Sequence, residues 1–142
     1  MVIVIEVPGP PVGKGRPRFA RRGAFVSTYT PAATANYESR VALAAHLAGA
    51  PKVPDDAPIS VEVLAVFARP KRLLRRRDPD GLIPHLSKPD GDNVLKSALD
   101  GLKAILRDEQ VADAIVRKRF AERGGQPRTE ITIRTAENEA QR

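Results

Sequence analysis

The sequence predicts an α/β protein, a small mixed β-sheet of about four strands with two main helices packed on it. Three observations lead there. β-Branched runs at residues 2–7 and 59–67 alternate with helical periodicity at 31–48 and 92–106. The order strand, helix, strand, helix, strand, strand suits helices laid over one sheet. No repeat divides the 142 residues, so residues 1–136 read as one domain and 137–142 as a polar tail.

The first strand, residues 2–7, stops at the breaker Pro8-Gly9-Pro10-Pro11. A basic loop, 13–23, follows, and 24–29 suits a short hairpin arm. Thr30-Pro31 reads as an N-cap followed by the first helical residue. That helix runs to about Ala48 and stops at Gly49, with Tyr37, Val41, Ala44, Ala45 and Ala48 on its apolar face. Residues 51–58 form a loop. Residues 59–67 begin with polar alternation and become apolar on both faces, as a central strand does.

Residues 69–77 are densely basic with room for a short helix, and Asp78-Pro79-Asp80-Gly81 makes a turn. The second helix is expected to start at Asp92 or Asn93 and end near Leu106 or Arg107. Its stripe is Leu95, Ala98, Leu99, Leu102, Ile105 and Leu106, weakened at Gly101 by roughly 1 kcal/mol relative to alanine. Strands at 114–121 and 129–135 are joined by Gly124-Gly125-Gln126-Pro127.

The 24 Lys and Arg against 17 Asp and Glu give a net charge of +7, which favours a polyanionic partner without establishing one. With no cysteine there is no disulfide, thiolate zinc site or cysteine nucleophile. The start lacks a signal-peptide pattern, and no apolar run approaches the ~20 residues of a membrane span. The reading is a soluble, cytoplasmic protein without a membrane partner. His46 and His85 make no histidine-pair metal signature.

The chemistry concentrates between Ser87 and Leu102. Asp90 and Asp92 lie two residues apart at a helix start, Pro89 restrains the backbone beside them, and Gly91 permits close approach. Two neighbouring carboxylates repel unless a cation joins them, and magnesium suits one or two carboxylates plus waters and phosphate oxygens. The same pattern also serves as an ordinary turn and N-cap. Asp92, Lys96 and Asp100, at i, i+4 and i+8, share the helix face opposite the leucine stripe. Lys96 there could stabilise charge on a phosphate, or simply form an exposed ion pair worth ~0.3–0.5 kcal/mol. Asp108, in the acidic loop after the helix, is a third candidate.

The runs Lys88-Pro89-Asp90-Gly91-Asp92-Asn93-Val94-Leu95-Lys96, Asp100-Gly101-Leu102 and Asp108-Glu109-Gln110-Val111 resemble the RusA family of Holliday junction resolvases. Support comes from Pro11 to Phe19, from Tyr29-Thr30-Pro31 and from Tyr37-Glu38, and the likeness spans Val2 to about Ile133. Three positions depart from the family pattern. Arg107 stands where an aspartate is usual, Val94 where leucine is, and Gly101 where alanine is. The resemblance implies a small α/β homodimer that cuts four-way DNA junctions with Mg2+, or Mn2+ as substitute, and needs no small-molecule cofactor. It implies catalytic, metal-binding carboxylates at Asp90, Asp92 and Asp108 and a catalytic lysine at Lys96. It implies a role in DNA recombination and repair, in a bacterium or a cell carrying a phage.

Candidate DNA contacts are Lys14, Arg16, Arg18, Arg21 and Arg22 in the first basic segment, and Arg69, Lys71, Arg72, Arg75, Arg76 and Arg77 in the second. Either segment could equally be a solvated surface. Phe19, Phe25 and Tyr29 suit stacking on bases at a branch point, or core packing. Tyr37 reads as a helix–sheet packing residue and His85 as a loop residue without a catalytic part. The alternatives to a junction resolvase are a non-catalytic or broad-specificity binder of branched nucleic acid, and a metal enzyme acting on another phosphoester.

Overall fold

The computed structural model describes residues 1–139, and the Arg22 side chain lies outside the described set. Among the described residues, seven strands and two α-helices follow one another as β1 (Val2–Pro8), β2 (Arg18–Arg22), β3 (Phe25–Tyr29), α1 (Ala32–Leu47), β4 (Ile59–Phe67), β5 (Ile83–Pro84), α2 (Gly91–Gly101), β6 (Val111–Phe120) and β7 (Arg128–Thr135). Five strands form one mixed sheet in the order β1-β7-β4-β6-β5, while β2 and β3 form a separate hairpin. Only β4 and β6 pair in parallel; the other ladders of the sheet are antiparallel.

Alternation explains how the sheet is covered. In β1, Ile3, Ile5 and Val7 point inward and Val2, Val4 and Glu6 outward. Ile59, Val61, Val63 and Ala65 of β4 and Ile131 and Ile133 of β7 join them in one buried cluster with Tyr37, Val41 and Ala45 of α1 and Val94 and Ala98 of α2. The helices therefore pack on one face, and Val2, Val4 and Ile115 are exposed on the other. The Tyr37 hydroxyl lies 2.7 Å from Thr129 Oγ1, which satisfies the polar tip of a fully buried ring. Tyr37 is thus the helix–sheet packing residue its spacing predicts.

Several boundaries differ from the sequence expectation. The sheet has five strands instead of about four, because β5 adds a two-residue edge strand against Arg119 and Phe120. Pro84 is admissible there because an edge strand has no obligatory donor on its open side. β6 begins at Val111, three residues before the expected position. Ala112, Asp113 and Ala114 are all exposed, so no hydrophobic alternation marks its start. Residues 18–22 of the expected basic loop are a strand, closed by a two-residue turn with Gly23 at φ +61°.

α1 starts one residue late. Pro31 occupies the N-cap without a side-chain cap bond. Its other end follows the expectation: Gly49 sits at φ +69°, and the bonds Gly49 N–H to His46 O and Ala50 N–H to Ala45 O satisfy its last carbonyls. Ala44 of the expected apolar face is half-buried and Ala48 is exposed.

α2 runs over Gly91–Gly101 with Asp90 as N-cap, not from Asp92 or Asn93 to Leu106. The apolar spacing continues because Leu102 and Leu106 are still buried, but through tight turns, with Ile105 N–H bonded to Leu102 O and Val53 N–H to Ile105 O. Gly101 has a packing reason. A Cβ there would lie 2.6 Å from Val41 Cβ and 3.0 Å from the Glu38 carbonyl oxygen, so glycine lets α1 and α2 approach.

Candidate active site

The approach to α2 is held from below by β6. Lys118 Nζ donates to the Ser87 carbonyl at 2.7 Å and the Pro89 carbonyl at 2.8 Å, and the Lys88–Pro89 peptide is cis. Asp90 and Asp92 follow, both exposed. Asp90 caps the helix with its backbone only, its carbonyl accepting the Val94 N–H at 3.1 Å, and its carboxylate makes no cap bond. Asp92 stands in the first helical turn, where the helix dipole favours an anion.

The loop after β1 is laced to the same helix. Lys14 N–H donates to the Asn93 carbonyl at 2.8 Å, and the Ser97 hydroxyl donates to the Val12 carbonyl at 2.6 Å. Gly13 has no room for a side chain, since a Cβ would meet Pro89 Cβ at 2.5 Å. Between loop and helix lies an open cleft of about 470 Å³, lined by Gly13, Lys14, Lys88, Pro89, Asp90 and Asn93 among others.

One turn further along α2, charges alternate in a chain. Glu38 meets Lys14 at 2.7 Å, Lys14 meets Asp100 at 2.8 Å, Asp100 meets Lys96 at 3.1 Å, and Lys96 meets Asp108 at 3.0 Å. The Asp100 side chain is only 3% exposed, so it is not the solvated face residue its spacing suggests. α1 and the loop after β1 cover it. Burial pushes the Asp100 carboxyl up, but the Lys14 and Lys96 ammoniums outweigh burial and hold it below its ordinary value. Asp108, first, and Asp100, second, raise the Lys96 ammonium. For Lys14, burial pulls downward and the bonds to Asp100 and Glu38 outweigh it. Spacing shows the Lys96–Asp100 pair; the part of Lys14 and Glu38 could not be read, because 24 residues separate them and only folding joins them.

Asp108 is placed by its neighbour. Gln110 is buried, and its amide donates to the Pro54 and Ala57 carbonyls at 2.6 and 3.1 Å. The glutamine two residues on thus pins the turn that carries Asp108 to the 54–57 loop. Arg107 Nη2 donates to the Asp55 carbonyl at 3.0 Å, so this guanidinium is committed to that loop.

The structure therefore brings Lys96, Asp100 and Asp108 together, with Asp92 one turn and Asp90 one and a half turns earlier on α2. Among the described residues no three acidic or histidine side chains converge closely enough to hold a metal ion by themselves. The donor chemistry still fits a hard divalent cation, because Asp90 and Asp92 are exposed oxygen donors and the Asp90 carboxylate is not used in capping. Magnesium is commonly held by one or two carboxylates and completes its shell with waters and phosphate oxygens.

The basic candidates divide. Arg16, Arg18 and Arg21 are exposed, and among the described residues they enter no salt bridge; the Arg22 side chain is outside those residues. Lys14 is spent on Asp100 and Glu38. Arg69 folds back onto the carbonyls of Leu73, Gly81 and Pro79, and Arg75 onto Asp78. The Arg72 guanidinium lies 5.8 Å from the Phe120 ring centroid. Lys71, Arg76 and Arg77 are exposed. His85 is a core residue, stacked on Phe67 at 4.2 Å and beside Phe120 at 4.6 Å, with burial first and the Lys118 charge second holding its pKa down.

Comparison with known proteins agrees with the motif. The chain is 32% identical over 139 residues to the uncharacterized protein YqaN of Bacillus subtilis (strain 168), covering 93% of this chain and 95% of that one. No helix is long and apolar enough to cross a membrane. The family model described as Endodeoxyribonuclease RusA matches residues 8–134, which take in both helices, every motif aspartate and the sheet apart from residues 2–7 of β1 and the last residue of β7, and the chain belongs to that family.

Proposed function

We propose that this protein is a magnesium-dependent endonuclease that resolves four-way DNA junctions by paired, symmetric nicks. The observation that supports it most is one helix, α2, that presents Asp90 and Asp92 at its start and reaches from Lys96 to Asp108. These four residues belong to the motif on which the family resemblance rests. Asp90, Asp92 and Asp108 would hold magnesium, or manganese in its place. Bound there, the ion supplies Lewis-acid polarisation of the scissile phosphate and a water of lowered pKa.

The chain's own residues do the rest. Lys96 donates to a phosphate oxygen as negative charge develops. Water adds to phosphorus while the bond to the 3′ oxygen breaks, leaving a 5′-phosphate and a 3′-hydroxyl. Asp100 orients Lys96 from the buried side. Arg16, Arg18 and Arg21, with Lys71, Arg72 and Arg76, meet backbone phosphates. A four-way junction offers two equivalent strands, so two copies of the chain related by a two-fold axis place one site on each.

The test uses a labelled four-way junction and a matched duplex, each with magnesium or with EDTA, for the wild type and Asp92→Asn. Paired nicks in the junction are expected, dependent on the metal, and reduced at least about a hundredfold in the variant while binding persists. Binding without cutting in any divalent metal leaves a binder of branched DNA and removes the enzyme. Equal cutting of junction and duplex removes the structure selectivity.

A further inference from the structure

Among the described residues, the β2–β3 hairpin has no partner in the fold that covers its aromatic side chains. Its register, Arg18 opposite Tyr29 through Arg22 opposite Phe25, pairs the two strands with each other. Phe19 is 72% exposed, Phe25 80%, Val26 62% and Tyr29 49%. Side chains alternate along a strand, so Phe25 and Tyr29 share one face, while Val26 and Phe19, opposite Thr28, occupy the other. An arm packed on its own protein would hide one face. This arm offers aromatic surface on both.

The surrounding charge is one-sided. Between Glu6 and Glu38 the chain has no acidic residue, yet it carries Lys14, Arg16, Arg18, Arg21 and Arg22. An apolar protein surface gains nothing from such a field, whereas a nucleic acid strand offers phosphates to the arginines and base planes to the rings.

The root of the arm sits at the candidate active site. Lys14 is bonded to the Asn93 carbonyl of α2, and the Gly15 N–H donates to Thr34 Oγ1 at 3.1 Å at the start of α1. A Cβ on Gly15 would lie 3.0 Å from Pro31 Cγ, so the root is closely packed. β2 begins only four residues beyond Lys14, and β3 ends two residues before Pro31. A rigid base therefore carries an exposed tip beside the cleft that holds Asp90.

We propose that the hairpin is a base-stacking arm that takes unstacked bases at the branch point of DNA, Phe19 on one face and Phe25 with Tyr29 on the other. This rests on the nuclease reading for its substrate, but not on cleavage. The arm recognises opened bases, the feature that separates a junction from a duplex, while the arginines grip phosphates common to both.

The experiment places 2-aminopurine at the branch point of a four-way junction, and at the same position of a matched duplex, in EDTA so that nothing is cut. Fluorescence and affinity are read for the wild type, for Phe19→Ala/Phe25→Ala and for Phe19→Tyr/Phe25→Tyr. The wild type is expected to change the junction signal and not that of the duplex. The alanine pair should bind the junction roughly tenfold more weakly and lose the signal change, with duplex affinity kept, and the tyrosine pair should retain both. Unaltered junction affinity and fluorescence in the alanine pair would overturn the proposal. So would a drop in the mass of the DNA-free protein, by light scattering, with the fluorescence response intact, because the arm would then serve a second copy of the chain. Cleavage is scored separately in magnesium. A wild type that opens the branch point without cutting keeps the arm and loses the nuclease, and a normally cutting alanine pair with unaltered binding and fluorescence does the reverse.

Discussion

Residues 13–22 carry five cations in ten positions and residues 69–77 carry six in nine, yet the fold treats them differently. The second segment folds two of its six cations, Arg69 and Arg75, back onto itself and leaves Lys71, Arg72, Arg76 and Arg77 exposed. Arg69 serves three carbonyls, Arg75 binds Asp78, and Arg123 reaches across from the β6–β7 connection to the carbonyls of Leu74 and Asp78 and to the Asp80 carboxylate. The first segment spends one cation, Lys14, on anchoring its root and leaves Arg16, Arg18 and Arg21 exposed. Charge density is the same kind of signal in both. What differs is the supply of local acceptors: Asp78, Asp80 and a run of tight turns stand beside the second segment, and no acid stands within the first.

The largest effect expected is at the single anchored cation. Lys14→Met removes the 2.8 Å partner of a carboxylate that is 3% exposed, leaving Lys96 and the more distant Lys103 to compensate. A loss of about 2–3 kcal/mol of stability is expected, at or below the range for breaking a buried pair. Thermal melting with and without the substitution measures it. An unchanged melting temperature would place Lys14 with the free arginines instead.

Next comes the arm. Arg18→Ala/Arg21→Ala should leave the melting temperature alone and reduce the slope of log affinity against log salt by about 2, roughly thirtyfold in affinity at physiological salt. Binding titrations at several salt concentrations on the junction and the duplex read this, and both DNAs should weaken alike because phosphates carry no branch-point information. An unchanged slope would make the two basic segments equivalent.

Arg69→Ala should do the opposite, costing about 1–2 kcal/mol because its carbonyl bonds are lost, with no change in salt slope. Denaturant unfolding and the same titrations decide between the two outcomes. The smallest effect is local and set by pH. The Arg75 side-chain bond, first, together with its backbone N–H and the charges of Arg75 and Arg77, lowers the Asp78 carboxyl from its ordinary value of 3.8 despite some opposing desolvation. A lowered folded value means the turn keeps its full support above pH 3.8 and loses it as pH falls through the lowered value. Amide exchange at Arg75, whose N–H donates to Asp78 Oδ2 at 2.9 Å, should accelerate only in that acid range. Protection that is already lost at neutral pH would mean the second segment is as free as the first.

Legibility followed the length scale of the interaction. Hydrophobic period marks β1, β4, β7 and both helices because each buries one face, and that face is written in consecutive residues. It fails at the start of β6, exposed at Ala112, Asp113 and Ala114, and at β5, which is two residues long. It overruns at the end of α2, where Leu102 and Leu106 stay buried after the helical bonds stop, since burial and helicity are separate constraints. The acid–lysine pattern at the site was readable on the same terms: Asp92, Lys96 and Asp100 occupy about two turns of one helix, with Asp90 at its N-cap.

The sequence by itself determined the architecture, the family and the motif, because local period and residue order specify them. Only the tertiary structure decided what each charge does. It buried Asp100 under α1 and the loop after β1, tied Lys14 to Glu38 24 residues away, turned Gln110 into the pin behind Asp108, and folded Arg69 and Arg75 of the second basic segment back while leaving Arg16, Arg18 and Arg21 of the first exposed. The reason is physical. A charged group's role depends on its solvent exposure and on partners within about 4 Å, and neither is fixed until distant parts of the chain are packed together.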